Sequence, residues 1–150
     1  MPTVSRSASV AASARQMFDL VNDIEAYPAF LEWCTGARVE SATPTEVVAT
    51  VKVGLAGLNQ SFTTRNALEP PSGDDAGRIR MELVAGPFRR LDGSWTFRPL
   101  PDGGCEVRLD LDYELSLSPL RFALGLVFEE IARSQVGAFV KRAETLYGDG

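Results

Sequence analysis

Cys105-Glu106-Val107-Arg108-Leu109-Asp110-Leu111-Asp112-Tyr113-Glu114-Leu115-Ser116 decides the fold. It alternates without a break. Cys105, Val107, Leu109, Leu111, Tyr113 and Leu115 share one face, and Glu106, Arg108, Asp110, Asp112, Glu114 and Ser116 share the other. That period of two is the mark of a half-buried strand. One sheet face is therefore dry and needs a cover. The chain then turns at Ser118-Pro119 into a long helical stretch ending near Tyr147. Ser118 is placed to cap this helix and Pro119 to open it, where a missing N–H costs nothing. Gly148 is placed to stop it. Leu124, Phe128, Ile131, Ala132, Gln135, Phe139, Ala143 and Leu146 form a stripe at helical spacing that suits the sheet. Phe122 and Leu126 project opposite that stripe, so the stretch from Leu120 to Phe128 is apolar nearly all round. Gly125 lies inside it at a cost of ~1 kcal/mol relative to Ala. Either loops bury the surplus or this helix end meets a greasy ligand, a partner or a membrane surface.

The 150 residues suit one domain with one core. A net charge of −5 argues against generic nucleic-acid binding, DNA included, but leaves room for a local basic patch. No apolar run approaches the ~20 residues of a membrane-spanning helix. The polar, alternating start from Met1 to Ala12 lacks the apolar core of a signal peptide, so the cytoplasm is the expected location. Two cysteines, Cys34 and Cys105, make neither a disulfide framework nor a ligand set and are expected as packed thiols. Histidine is absent, which removes Ser-His-Asp and Cys-His nucleophilic sites, His-ligated metals and the usual general base. Carboxylate catalysis passes this filter. Most acidic residues, however, sit on outer strand faces or in turns. No catalytic residue, metal set or resident cofactor is expected.

Along the chain, Thr3 to Val10 reads as a strand, and Ser13 opens a helix with Gln16 in the reciprocal capping position. A second short helix is expected from Tyr27 to Trp33, with Pro28 near its start. Strands follow over Ala37–Ser41, Glu46–Gly54, Leu58–Leu68, Arg78–Val84, Ser94–Leu100 and Cys105–Ser116, with Gly86–Gly93 read as a connection. Short turns between consecutive strands favour an antiparallel sheet with its helices on one side. The class is α+β.

The segment Asp23-Ile24-Glu25-Ala26-Tyr27-Pro28-Ala29-Phe30-Leu31-Glu32-Trp33-Cys34 resembles the D-x-x-x-Y-P-x-F-L-P-x-C signature of the coenzyme Q-binding protein and ribosome association toxin family. That family belongs to the START-like polyketide cyclase/dehydrase superfamily. Phe62-Thr63-Thr64-Arg65-Asn66, the run from Gly86 to Phe97, and Val127-Phe128-Glu129-Glu130 resemble further family segments in the same order. Glu32 stands where the family usually has proline, which puts the end of the second helix in question. The resemblance implies a helix-grip fold: a seven-stranded curved antiparallel sheet wrapped around the C-terminal helix, two short helices after the first strand, and an apolar cavity. It also implies two functions of different classes. One is binding of ubiquinone or a related isoprenoid lipid in support of respiration, taken first, with peripheral contact at the inner membrane. The alternative is binding to the large ribosomal subunit as a toxin that blocks subunit joining. A cyclase or dehydrase activity ranks third, because no inward carboxylate pair is evident and Asp23 and Glu25 read as cap and surface charge.

From face and position, Val51, Val53, Phe62, Met81 and Leu83 are expected to point from the sheet toward the helix. Trp95, Phe97, Leu109, Leu111 and Tyr113 do the same from later strands, and Leu124, Phe128 and Ile131 answer from the helix. Each is ordinary core or cavity wall. Small side chains such as Ala49, Gly125 and Ala132 leave volume between the layers, and an isoprenoid tail filling it gains ~0.8 kcal/mol per CH₂-sized group before ordering costs. Tyr113, Arg65 and Gln135 are candidate donors to a polar head, with Tyr113 and Gln135 facing inward. Leu55, Leu58 and Phe88 are apolar loop residues that either rim an opening or cap the core. Arg78, Arg80, Arg89, Arg90 and Arg98 form a candidate patch for rRNA phosphates or anionic lipid headgroups, or a solvated, salt-bridged face.

Overall fold

The computed structural model describes residues 3–55, 57–116 and 121–148. Its elements run β1 (Thr3–Val10), α1 (Ala14–Asn22), a 3-10 helix (Ile24–Ala29), β2 (Cys34–Ala42), β3 (Glu46–Leu55), β4 (Leu58–Glu69), β5 (Gly77–Ala85), β6 (Phe88–Pro99), β7 (Cys105–Leu115) and α2 (Arg121–Tyr147). The seven strands form one sheet in the order β1-β7-β6-β5-β4-β3-β2, and every neighbouring pair is antiparallel. After β1 the chain crosses the sheet through α1 and the 3-10 helix to the far edge, then walks back hairpin by hairpin until β7 pairs with β1. The curved sheet and α2 make the helix-grip fold that the family resemblance implied. The expected cap Ser118 and its Pro119 lie outside the described residues.

Local sequence explains the crossing. Ser13 Oγ accepts from Gln16 N at 3.1 Å while Gln16 Oε1 accepts from Ser13 N at 2.9 Å, a complete capping box. α1 then buries Met17, Phe18, Leu20 and Val21 against the sheet. The second helix differs from expectation: it starts at Ile24, takes the 3-10 form around Pro28 and ends before Glu32. Leu31 N closes the turn on Tyr27 O at 2.9 Å, and Cys34 already begins β2. A 3-10 helix suits so short a connector, because tighter turns close on fewer residues.

β6 also departs from expectation, starting at Phe88 instead of Ser94. Arg89-Arg90 and Asp92-Gly93 look like a turn by composition. The long alternating β7 overrides them, because it offers a ladder that pairs Phe88 with Leu115 and Pro99 with Cys105. A bulge between Phe88 and Arg90 accommodates the extra residue. Gly93 pairs with Met81 on one side and Leu111 on the other. A Cβ there would lie 2.4 Å from Leu111 Cδ2 and 3.0 Å from Met81 Cε, so glycine lets those two side chains meet over it.

The core has two main regions along α2. Toward its C-terminal half, Phe139 takes edge contacts from Tyr27, Phe30 and Trp95, and Phe97 stacks on Trp95 while meeting Phe18 edge-on. Toward its start, Leu124, Phe128 and Ala132 pack with Val4, Phe88, Leu91, Tyr113 and Leu115. Val53 joins Val127 and Ile131 in a smaller group between them. The expected stripe is buried except at Gln135, which is partly buried, and Leu146, which is half exposed. Phe122 and Leu126 are 80% and 57% exposed, so no loop among the described residues covers them.

Candidate ligand cavity and charged outer face

Between the two core regions the sheet and α2 do not quite close, and a cavity of about 90 Å³ remains. Of the sheet residues assigned to the wall, Val51, Phe62, Met81, Trp95, Leu109 and Leu111 line it. Phe128, Ile131 and Gln135 line it from α2, together with the small residues Ala49 and Ala132. Val53, Leu83, Phe97, Tyr113 and Leu124 do not. Val53 packs on Val127, and Phe97 is sealed between Phe18 and Trp95. Leu83, Tyr113 and Leu124 belong to the cluster at the start of α2. The volume falls well below the ~300 Å³ at which ordinary ligand sites begin, so a full isoprenoid tail requires the walls to move.

The lining contains no charged side chain, but it does contain polar groups that sequence reasoning passed over. Thr64 and Asn66 project inward from β4, and both are buried. The signal was present: with Phe62 facing in, Thr64 and Asn66 share its face by period two. Neither is named among the candidate wall residues. Thr64 Oγ1 donates to Asn66 Oδ1 at 2.9 Å. From the neighbouring wall, Trp33 Nε1 donates to Gln135 Oε1 at 3.1 Å, tying the start of β2 to α2. Tyr27 donates to Val21 O, and its burial beside Cys34 and Asp23 pushes the phenol well above its ordinary value, so it stays protonated. Tyr113, a candidate head-group donor, is instead ringed by Phe88 and Phe128, and burial with the nearby Glu129 charge raises its pKa. Arg65 points outward and faces Glu46 at 3.6 Å.

The expected rim is largely a seal. Phe88 is 6% exposed and meets Phe62, Tyr113 and Phe128 edge-on, which makes it a plug and not a loop gate. Leu55 and Leu58 are partly buried beside Val53, Val127 and Ile131. These contacts close the end of the grip nearest the start of α2.

On the other side of the sheet the outer strand faces carry arginines and carboxylates together. Arg80 faces Glu69 at 3.7 Å, Arg89 faces Glu114 at 3.5 Å and Arg98 faces Glu106 at 3.1 Å. Arg90 holds Asp112 through two hydrogen bonds of 2.9 and 3.0 Å. Arg78 has no carboxylate partner among the described residues. Nor do the five arginines converge: Arg90 and Arg98 lie near opposite ends of β6, roughly 26 Å apart at about 3.3 Å per residue. Arg78 and Arg80 line an open groove of about 1010 Å³ with Arg65 and Arg108, but Glu46, Glu82, Asp92, Asp110 and Asp112 line it too. Arg108 donates to Asp110 at 2.9 Å and holds that carboxyl below its usual range, helped by Ser5. The face is charge-balanced. Glu25, weighed as a catalytic carboxylate, accepts from Val39 N at 3.1 Å and fastens the 3-10 helix to β2. Among the described residues no cluster of potential ligands could hold a metal ion, and no helix is long and apolar enough to cross a membrane.

Comparison with known proteins adds four findings. The family model described as polyketide cyclase / dehydrase and lipid transport matches residues 10–140. The ribosome association toxin RatA of Escherichia coli K12 is 44% identical over 147 residues, covering 98% of this chain and 90% of that protein. The mitochondrial coenzyme Q-binding protein COQ10 homolog B of Xenopus laevis is 25% identical over 148 residues, covering 96% of this chain and 59% of that protein. Among solved structures, the Zhui aromatase/cyclase of a Streptomyces species superposes with a TM-score of 0.79 at 19% identity, covering 95% of this chain and 93% of that one, which speaks to the fold alone.

Proposed function

The chain belongs to the polyketide cyclase / dehydrase and lipid transport family, and from that membership we propose that it acts as a ribosome-associating protein of the RatA kind. The observation that carries this reading is 44% identity to a ribosome association toxin over nearly the whole of both chains, against 25% to a coenzyme Q-binding protein of which little more than half is matched. It reverses the order in which the sequence ranked the two functions. Action on ribosomes belongs in the cytoplasm. The target expected from the family resemblance is the large subunit. Sedimentation through sucrose with purified subunits from the host tests this: the protein should travel with the large subunit. A protein that stays at the top of the gradient at low salt, with either subunit, overturns the reading.

A second reading is favoured by the cavity: binding of a neutral, largely apolar ligand between sheet and α2. Ubiquinone or another isoprenoid would enter only if the Phe62, Phe88 and Phe128 rings separate, since the space is about 90 Å³ with these rings in contact. Organic extraction of the protein purified from its host, followed by mass spectrometry, tests it. Solvent blanks and extracts that match each other count against it. Neither reading calls for catalysis, and a chain without histidine suits both.

A further inference from the structure

Two amides aim into the cavity with their donor ends unpaired. Asn66 is 5% exposed, lies deep on β4, and its Oδ1 is taken by the Thr64 hydroxyl at 2.9 Å. Its Nδ2 has no partner among the described residues. Gln135, on α2, is fixed more strictly still. An indole N–H can only donate, so the atom that Trp33 Nε1 reaches must be the carbonyl oxygen, and Nε2 is left as a donor. It too has no partner among the described residues. Asn66 is buried and Gln135 half-buried, and both line the cavity.

We propose that Asn66 and Gln135 form a two-donor clamp that selects a small neutral ligand through a carbonyl oxygen. This rests on the second reading above, that the cavity takes a ligand, and adds the chemistry it selects. Neutrality follows from the lining, where no Lys or Arg is present to hold an anion and no Asp or Glu to hold a cation. Acceptor chemistry follows from the two free N–H groups. The ring-sized rather than chain-sized ligand follows from a space of about 90 Å³ walled by Trp95, Phe62, Leu109 and Phe128. Thr64 and Trp33 act as positioning residues, each engaging one amide oxygen and so turning the amide nitrogen toward the ligand.

The probes are cyclohexanone and methylenecyclohexane, which share a shape and differ in bearing an oxygen or a CH₂ at one position. Each is titrated into the full chain while the side-chain amide signals of Asn66 and Gln135 are followed by ¹⁵N NMR. The ketone is expected to bind at least about tenfold more tightly than the alkene and to move both amide signals. Asn66→Leu and Gln135→Met should each shrink that preference severalfold while leaving alkene binding in place. Equal binding of the two probes, or a preference that survives both substitutions, overturns the clamp while the ligand reading stands. If neither probe binds at saturation, as when the amides serve ordered water alone, both fall.

Discussion

Phe88 shows how much a single side chain's surroundings decide. By sequence it is an apolar loop residue beside Gly86-Pro87, suited to gating an opening. In the fold its ring is locked among Phe62, Tyr113 and Phe128, with the Phe128 centroid 4.8 Å away. Phe88→Glu is therefore expected to lower stability by at least ~3 kcal/mol, through lost packing and a buried carboxylate. Urea unfolding measures this, and a loss below about 1 kcal/mol would show that the ring is not a plug. Cys105 gives a second prediction at this scale. Burial pushes its thiol from 9.0 up to about 11. The folded state thus favours the protonated form that the unfolded chain gives up first. That contribution to stability is fully present below pH 9 and is lost as pH rises toward 11. Cys105→Ala should flatten the alkaline decline between those values, while an unchanged pH profile would exclude Cys105 as its source. For the same reason the thiol should resist alkylation at pH 8 until the protein unfolds.

Among the elements, α1 and α2 were legible to different depths. The Ser13–Gln16 box was read from four residues, because capping is local chemistry and needs no partner elsewhere. Ser13→Ala should cost ~1 kcal/mol, read as a shift in the urea midpoint with unchanged slope. The apolar start of α2 was equally visible, but its resolution was not. Leu124 and Phe128 are buried, whereas Phe122 and Leu126 stay on the surface. Replacing both exposed residues with Ser should leave stability within about 0.5 kcal/mol, where Phe128→Ala should cost 3–5. A large loss from the double substitution would mean that the face is covered. β6 is the converse case. Residues Phe88 to Gly93 looked like a turn, and only the ladder offered by β7 makes them strand. Strand formation there depends on a partner far along the chain, which no local pattern reports.

For the molecule as a whole, charge is the property most altered by folding. By sequence the five arginines are a candidate basic patch or a solvated, salt-bridged face. Register sets most of them against carboxylates on neighbouring strands and spreads the five over β5 and β6. Ribosome association by such a surface should depend only weakly on salt, since few phosphates would be neutralised by unpaired cations. Measured between 50 and 200 mM salt, affinity is expected to fall by less than about 100-fold; a loss nearer 10³–10⁵ would point to extensive phosphate contact instead. The alternating strands, the capping box, the apolar terminal helix and the absence of histidine were all settled by sequence, because each depends on neighbours within a few positions or on composition. So was the helix-grip architecture, through the family resemblance carried by the Asp23 to Cys34 segment and the segments that follow it in order. Tertiary structure alone decided which arginines meet which carboxylates, that Phe88 plugs the grip, and that Thr64, Asn66, Trp33 and Gln135 share one small cavity. Those outcomes depend on strand register and on the path of α2 across the sheet, which join residues up to a hundred positions apart and leave no periodic trace in the chain.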